Sequence, residues 1–192
     1  MVAPEVCTLM ANQKLEVPND QLSAILLSTT FSEAHIKQWY QDFMKDNPTG
    51  QLGKEKFIEI YSQFFPTDNA EELCNYVFHA YDADKSGTID FKEFMIAIKI
   101  VSSGTVYDKL WLAFAIYDID GSGRIEKTEL LNMVRALSRM MSGGSKETAE
   151  EVTDRIFNQL DTDGDGVITR DEFVDGCLSD EDLCSRLAIR PF

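Results

Sequence analysis

The chain has 192 residues, of which 44% are hydrophobic, and its 33 acidic and 18 basic side chains give a formal net charge of −15. This acidity argues against nucleic-acid binding, because phosphates need a basic face. No apolar run approaches the roughly 18 residues of a membrane span. The length suits a globular protein of one domain or of two small lobes.

The first residues of the sequence do not show the pattern of a secretory signal peptide. We expect residues 1–20 to form a flexible N-terminal segment. Met1–Met10 has neither the positive start nor the long apolar core of a secretory signal peptide. The four cysteines lack a paired framework and a C-x-x-C spacing, so they are predicted to be reduced thiols of a cytoplasmic protein.

The stretch Lys45–Lys56, K-D-N-P-T-G-Q-L-G-K-E-K, is the first of four similar twelve-residue loops, each between apolar runs at helical spacing. It keeps a Gly at position 6 and an aliphatic residue, Leu52, at position 8. No carboxylate stands at positions 1, 3, 5 or 12, and position 12 is Lys56. Because lysines repel a cation, we expect this loop to be structural and to bind no ion.

The second, third and fourth loops are Asp82–Glu93, Asp118–Glu129 and Asp161–Glu172. Each has oxygen side chains at positions 1, 3 and 5, Gly at 6, Ile at 8 and Glu at 12, which is the pattern of the EF-hand Ca²⁺ loop. Alternating side chains and one carbonyl supply the six to eight oxygens that this hard cation prefers. The Gly takes the positive φ that bends the chain around the ion. We therefore expect three Ca²⁺ ions, with Mg²⁺ as an alternative occupant at rest.

The predicted ligands are the residues at positions 1, 3, 5, 7, 9 and 12, with position 7 contributing its carbonyl oxygen. They are Asp82, Asp84, Ser86, Thr88, Asp90 and Glu93, then Asp118, Asp120, Ser122, Arg124, Glu126 and Glu129, then Asp161, Asp163, Asp165, Val167, Thr169 and Glu172. The glutamates at position 12 are the decisive ligands, because each closes the coordination shell with both carboxylate oxygens.

The position 8 residues of paired EF-hand loops form a short antiparallel strand contact. Leu52 is predicted to face Ile89, and Ile125 to face Ile168. The fold is therefore predicted to be all-α, with four EF-hands in two paired lobes and a short extra helix at each end. Ser179 with Asp182 is predicted to cap the last helix. The predicted boundaries are 21–101 for the N-terminal lobe, 102–105 for the linker, 106–178 for the C-terminal lobe, and 179–192 for the last helix and tail.

Several short stretches of the sequence are typical of one protein family. They are F-S-E at 31–33, W-Y at 39–40, P-T-G-Q-L at 48–52, Q-F-F-P at 63–66, and the segment from Gly104 through K-L-W at 109–111 to Tyr117-Asp118. Through these stretches the chain resembles the neuronal calcium sensor family. The resemblance covers residues from about 22 to 185. An inactive first hand with Pro at its fourth position is a trait of this family, although Asn47 stands where the family usually has Cys.

The resemblance implies an intracellular calcium sensor rather than an enzyme, and no nucleophile–base pair or phosphate-binding Gly loop is evident in the sequence. Such a sensor relays Ca²⁺ occupancy to a target protein through a hydrophobic groove in the N-terminal lobe, which accepts an amphipathic helix. The candidate groove residues are Trp39, Phe43, Phe57, Ile60, Tyr61, Phe64 and Phe65. Core packing is the alternative for these side chains, and a calcium buffer without a dedicated target is the alternative function.

The second residue separates this chain from most of the family. Family members usually begin Met-Gly, whereas this chain has Val2, and myristoyl transfer requires a Gly at that position. Membrane association through an N-terminal myristoyl group is therefore not supported. Dimers occur in parts of the family, so the resemblance also allows a second copy of the chain as a partner. No residue of the sequence indicates whether a dimer forms.

Overall fold

A computed structural model of the protein describes residues 16–63, 71–140 and 147–187. Within these ranges the chain forms ten helices and two two-stranded sheets, which confirms the predicted all-α fold of four EF-hands in two lobes. The elements are α1 (Asn19–Ser28), α2 (Glu33–Asp46), β1 (Gln51–Gly53), α3 (Lys54–Ser62), α4 (Glu71–Tyr81), β2 (Thr88–Asp90), α5 (Phe91–Ser103), α6 (Val106–Tyr117), β3 (Arg124–Glu126), α7 (Lys127–Met140), α8 (Ala149–Leu160), β4 (Val167–Thr169), α9 (Arg170–Ser179) and α10 (Glu181–Leu187).

Each short sheet joins two loops. β1 pairs antiparallel with β2 in a register that places Leu52 opposite Ile89. β3 pairs with β4 so that Ile125 lies opposite Ile168. All four side chains are buried, and both predicted pairings are confirmed. The loops are thereby held as a first-with-second pair and a third-with-fourth pair.

The last residues of a loop also begin the helix that follows it. At the start of α5, Asp90 accepts a hydrogen bond from the Glu93 N–H at 2.8 Å, and Glu93 accepts one from the Asp90 N–H at 2.9 Å. Thr169 and Glu172 form the same reciprocal capping box at the start of α9. In the second and fourth loops the predicted ligands at positions 9 and 12 therefore fix the orientation of the exiting helix.

Each lobe has a core centred on buried aromatic rings. In the N-terminal lobe, Phe91 lies edge-on to Tyr40 with ring centroids 5.0 Å apart. In the C-terminal lobe, Phe173 meets Phe114 at 5.7 Å and Tyr117 at 5.8 Å. These contacts join the entering helix of one hand to the exiting helix of its partner, so that the two hands of a lobe pack as one unit.

The two lobes are joined by a short and closely packed connection between α5 and α6. A Cβ on Gly104 would lie 2.3 Å from the Ile100 carbonyl oxygen, so this approach admits only glycine. Thr105 caps α6 in a capping box with Asp108, as predicted, and Lys99 forms an ion pair with Asp108 at 3.1 Å. The predicted linker was 102–105, whereas α5 continues through Ser103.

Further contacts between the lobes come from α4, which packs against α6 and α7. Glu72 on α4 forms an ion pair with Arg139 on α7. Lys85, in the second loop, donates from Nζ to the Asp120 carbonyl oxygen in the third loop at 3.1 Å. The second and third loops are therefore neighbours, although they belong to different lobes.

The last helix is part of the C-terminal lobe. Leu183 and Leu187 are buried, and the Tyr117 hydroxyl donates to the Leu187 carbonyl oxygen at 3.3 Å. The predicted cap was wrong, because α10 begins at Glu181 and Asp180 accepts from the Leu183 N–H at 3.0 Å. The Ser179 hydroxyl instead donates back to the Asp175 carbonyl oxygen within α9.

Of the predicted flexible segment 1–20, residues 1–15 lie outside the described residues. Val17 is buried, and α1 begins at Asn19. None of the helices in the described part of the chain is long and apolar enough to cross a membrane.

Candidate metal sites and apolar groove

The second loop gathers its predicted carboxylates around one point. Ligand oxygens of Asp82, Asp84 and Glu93 lie within 4.8 Å of one another. The two oxygens of Asp82 accept from the backbone N–H groups of Ser86 at 2.9 Å and Gly87 at 2.8 Å. These bonds wrap the loop around the first aspartate, so the cluster follows from the local sequence.

The third loop repeats this arrangement. Ligand oxygens of Asp118, Asp120 and Glu129 lie within 4.8 Å of one another. Asp118 accepts from the backbone N–H groups of Ser122 at 2.8 Å and Gly123 at 2.9 Å. Three acidic oxygens at one point, with no nitrogen or sulfur donor among them, fit a hard cation such as Ca²⁺.

The fourth loop has its cluster at positions 1, 3 and 5, formed by Asp161, Asp163 and Asp165. Its position 12 residue, Glu172, accepts from the backbone and hydroxyl groups of Thr162, both at 2.9 Å. The Thr169 hydroxyl donates to Glu172 at 2.7 Å. At positions 1, 3 and 5 the fourth loop therefore has three aspartates where the second and third loops have two and a serine, and it holds its glutamate with two hydroxyl donors.

The surroundings of the three glutamates change their acidity in different ways. Burial raises the pKa of Glu93 and of Glu129, against the opposing effect of backbone N–H donors. Burial also acts to raise the pKa of Glu172, but hydrogen bonds from Thr169 and Thr162 outweigh it and lower this pKa to about 2. At Glu93 and Glu129 the desolvation of the charged carboxylate outweighs its hydrogen bonds, so these two carboxylates have the most to gain from a neighbouring cation.

The predicted ligands at positions 7 and 9 lie on the short strands. Residues at position 7 begin the strands, and the hydroxyls of Ser86 and Ser122 at position 5 donate to the position 7 carbonyl oxygens at 3.0 and 3.1 Å. Positions 5 and 7 are therefore brought together; the position 7 residues are Thr88, Arg124 and Val167. The side chains of Asp90 and Thr169 at position 9 instead cap the exiting helices. Glu126, at position 9 of the third loop, is exposed and accepts from the Thr128 hydroxyl at 3.4 Å.

The glycine at position 6 has a positive φ in every loop, including the first. The angles are 77° at Gly50, 84° at Gly87 and Gly123, and 87° at Gly166. This is the left-handed region that the EF-hand turn requires. The first loop thus keeps the backbone shape of a binding loop.

The first loop is closed by a cation rather than by a carboxylate. The Lys56 ammonium, at position 12, donates to the backbone carbonyl oxygen of Asp46 at position 2. In the second loop the polarity is reversed, because the N–H of Ala83 at position 2 donates to Glu93 at 2.9 Å. Within the described residues the first loop has no cluster of carboxylates. That this loop holds no ion stays a prediction.

A groove in the N-terminal lobe lies between α2, α3 and α5 and has a volume of about 440 Å³. Five of the seven predicted groove residues line it, namely Trp39, Phe43, Phe57, Ile60 and Tyr61. The other two, Phe64 and Phe65, lie outside the described residues. Phe43, Phe57 and Tyr61 are buried and form its floor, whereas Ile60 is 43% exposed. Packing in the core and lining the groove are therefore compatible roles.

Sequence reasoning missed the other residues that line the groove. They are Asp42, Asp46, Asn47, Leu52, Tyr81, Phe94 and Ile98. Phe94 and Ile98 are four residues apart on α5, a spacing that could have placed them on one face. The prediction considered the first hand alone, although the exiting helix of the second hand forms one wall.

Comparison with known proteins agrees with this architecture. Residues 107–178 match the family model of an EF-hand domain pair, and residues 77–97 match that of an EF hand. The chain is 33% identical to recoverin from Homo sapiens over 177 residues, which cover 88% of each protein. It is 34% identical to S-modulin from Aquarana catesbeiana over 177 residues, again 88% of each. The chain therefore belongs to the neuronal calcium sensor family of EF-hand proteins.

Proposed function

We propose that this calcium sensor binds three Ca²⁺ ions, in the second, third and fourth loops, and relays their occupancy to a target protein. An amphipathic helix of the target docks in the groove of the N-terminal lobe. Bound Ca²⁺ supplies a compact double positive charge that draws the loop oxygens together, and Mg²⁺ is an alternative occupant at rest. The residues that would hold the ions are the eighteen named at positions 1, 3, 5, 7, 9 and 12 of the three loops.

One observation carries the proposal. Residues that adjoin the second loop in sequence, or pair with it through the β-strands, also line the groove. Glu93, the last ligand position of the loop, is followed directly by Phe94, which lines the groove. Leu52, which also lines the groove, is paired through the β-strands with Ile89 of the same loop. A change in the position of Glu93 therefore displaces a wall of the groove.

The hydrogen bonds of the Glu93 side chain connect several parts of the second hand. One carboxylate oxygen accepts from the N–H of Ala83 at 2.9 Å, and the other accepts from the N–H of Asp90 at 2.9 Å. The side chain thus ties the beginning of the loop to the end of β2 and to the first turn of α5. If both carboxylate oxygens of Glu93 turned to coordinate Ca²⁺, these hydrogen bonds to the backbone would be replaced by bonds to the ion. The helix α5 would then change orientation, and Phe94 and Ile98 would move with it.

A calcium buffer is the second candidate. A buffer binds its ions with little opening of the paired helices, and nothing in the three loops alone distinguishes it from a sensor. The groove favours the sensor. One of its walls contains Phe94, which follows the predicted Ca²⁺ ligand Glu93, and a protein that only stores ions does not need this connection. Possible dimerisation and a cytoplasmic location are compatible with either function.

The test compares two glutamate variants by apolar-dye fluorescence and tryptophan emission during Ca²⁺ addition. The wild-type protein should bind the dye in Ca²⁺ and change the emission of Trp39, which lies at the groove. Glu93→Gln should abolish most of the dye response, because it removes the ligand joined to the groove wall. Glu172→Gln is the matched control, since it changes a ligand in the other lobe and should keep the groove response. A wild-type protein that takes up Ca²⁺ without a dye response would instead be a buffer.

A further inference from the structure

Among the described residues, the charged side chains that line the groove are two carboxylates. Asp42 and Asp46 lie along one edge, and the rest of the lining is apolar, aromatic or amide. The amide of Asn47 is already used, because its Nδ2 donates to the Phe43 carbonyl oxygen at 3.1 Å. The charges that the described lining presents to a docked partner are therefore negative.

The two carboxylates stand four residues apart on α2, which places them one above the other on the same face of the helix. Like charges at this spacing destabilise a helix slightly, so the pair adds nothing to the stability of α2. Neither carboxylate has an ion-pair partner within 4.0 Å among the residues that the structure describes. Asp42 accepts from Gln38 Nε2, at 3.3 Å to each oxygen.

Lys56, which contacts the backbone of Asp46, does not neutralise this edge. Lys56 donates to the backbone carbonyl oxygen of Asp46, and it is therefore committed to closing the first loop. Both aspartates are exposed and can be reached from the groove. A concave apolar surface with one charged edge concentrates the field of that charge, which strengthens its effect on a docked group.

We propose that Asp42 and Asp46 select a partner helix that carries lysine or arginine beside its apolar face, spaced four residues apart. This inference rests on the proposed docking of a target helix in the groove. The apolar side chains of the helix would enter between Phe57 and Phe94, while its two cations form charge-assisted hydrogen bonds with the aspartates. An acidic helix is excluded by repulsion, and a second copy of this chain is disfavoured because the chain, with a formal net charge of −15 before any ion binds, stays acidic with three Ca²⁺ bound.

The test uses two fluorescent synthetic helical peptides with the same apolar face. One carries lysine at two flanking positions four residues apart, and the other carries glutamine at those positions. Their dissociation constants are measured by anisotropy on the full-length protein in saturating Ca²⁺, at low and at high salt. The basic peptide should bind about five- to tenfold more tightly at low salt, as expected for two exposed ion pairs, and this preference should shrink at high salt.

The variant Asp42→Asn/Asp46→Asn should remove the preference by weakening the basic peptide and leaving the glutamine peptide unchanged. Asp20→Asn/Asp175→Asn is the matched control, because it removes the same charge from exposed positions outside the groove lining. Equal binding of the two peptides to the wild-type protein would overturn the selectivity and leave the docking proposal standing. Failure of both peptides to bind in Ca²⁺, or dimer formation that blocks them, would overturn the docking proposal and the selectivity with it.

Discussion

The first and second loops share one sheet and one lobe, yet opposite charges close them. In the second loop, Glu93 accepts hydrogen bonds from backbone N–H groups near the loop start. In the first loop, Lys56 donates to a backbone carbonyl oxygen at the corresponding place. Both loops keep the positive φ at position 6 and the buried aliphatic residue at position 8. The shape of an EF-hand loop is therefore separable from its capacity to hold an ion.

The comparison also shows what the first loop contributes. Leu52 belongs to the strand that pairs with β2, and it lines the groove as well. A loop without carboxylates therefore supports the second loop and builds part of the docking surface. Three experiments test this division of roles, beginning with the largest expected change in stability.

Leu52→Ala should have the largest effect. Leu52 is 5% exposed, and truncation of a buried leucine costs about 2–5 kcal/mol. The variant should unfold at lower urea concentration and also bind Ca²⁺ more weakly in the second loop, because Ile89 loses its partner. Ile125→Ala is the corresponding change in the other lobe, and it should spare the second loop. A Leu52→Ala protein with unchanged Ca²⁺ affinity in the second loop would mean that the paired loops act independently.

Gly50→Ala tests whether the first loop needs its backbone turn when it carries no ligands. Gly50 has a φ of 77°, and a side chain in this region costs about 1–2 kcal/mol. The Cβ itself would have room, since its nearest neighbour, Met44 Sδ, is 3.6 Å away. Urea unfolding should show this loss, while calorimetry should show an unchanged number of ions. A lost ion would mean that the first loop is a binding site after all.

Lys56→Met should have the smallest effect. It removes the ammonium that closes the first loop and keeps much of the side-chain length, so we expect a loss of about 1 kcal/mol or less. The number of bound ions should not change, because no carboxylate stands at positions 1, 3, 5 or 12 of this loop. Lys54→Met, on the same helix, controls for the loss of a positive charge. A gain of Ca²⁺ binding in Lys56→Met would show that the lysine alone keeps the ion out.

The sequence predicted the features that depend on residues close together in the chain. The three acidic clusters and the Thr105–Asp108 capping box are of this kind, because each is formed within a single loop or helix start. The pairing of Leu52 with Ile89 was also predictable, since EF-hand loops pair at a fixed position. Predicting these parts of the fold requires only the spacing of residues along the chain and the chemistry of their side chains.

Features that depend on packing between distant segments were missed. The acidic edge of the groove is recognisable only when α2 and α5 are seen to face one cavity. The contact of Lys85 with Asp120 depends on how the two lobes meet. The cap of the last helix was misplaced by one residue, because Ser179 and Asp180 are both good N-cap residues and the sequence does not choose between them.

The most direct test of the proposed function is a calorimetric titration of the full-length protein with Ca²⁺ at physiological Mg²⁺. The three carboxylate clusters and the lysine-closed first loop predict three ions bound per chain. Glu93→Gln should reduce this number to two, because it removes the closing ligand of the second loop. Four ions in the wild-type protein, or an unchanged number in Glu93→Gln, would contradict the assignment of the sites.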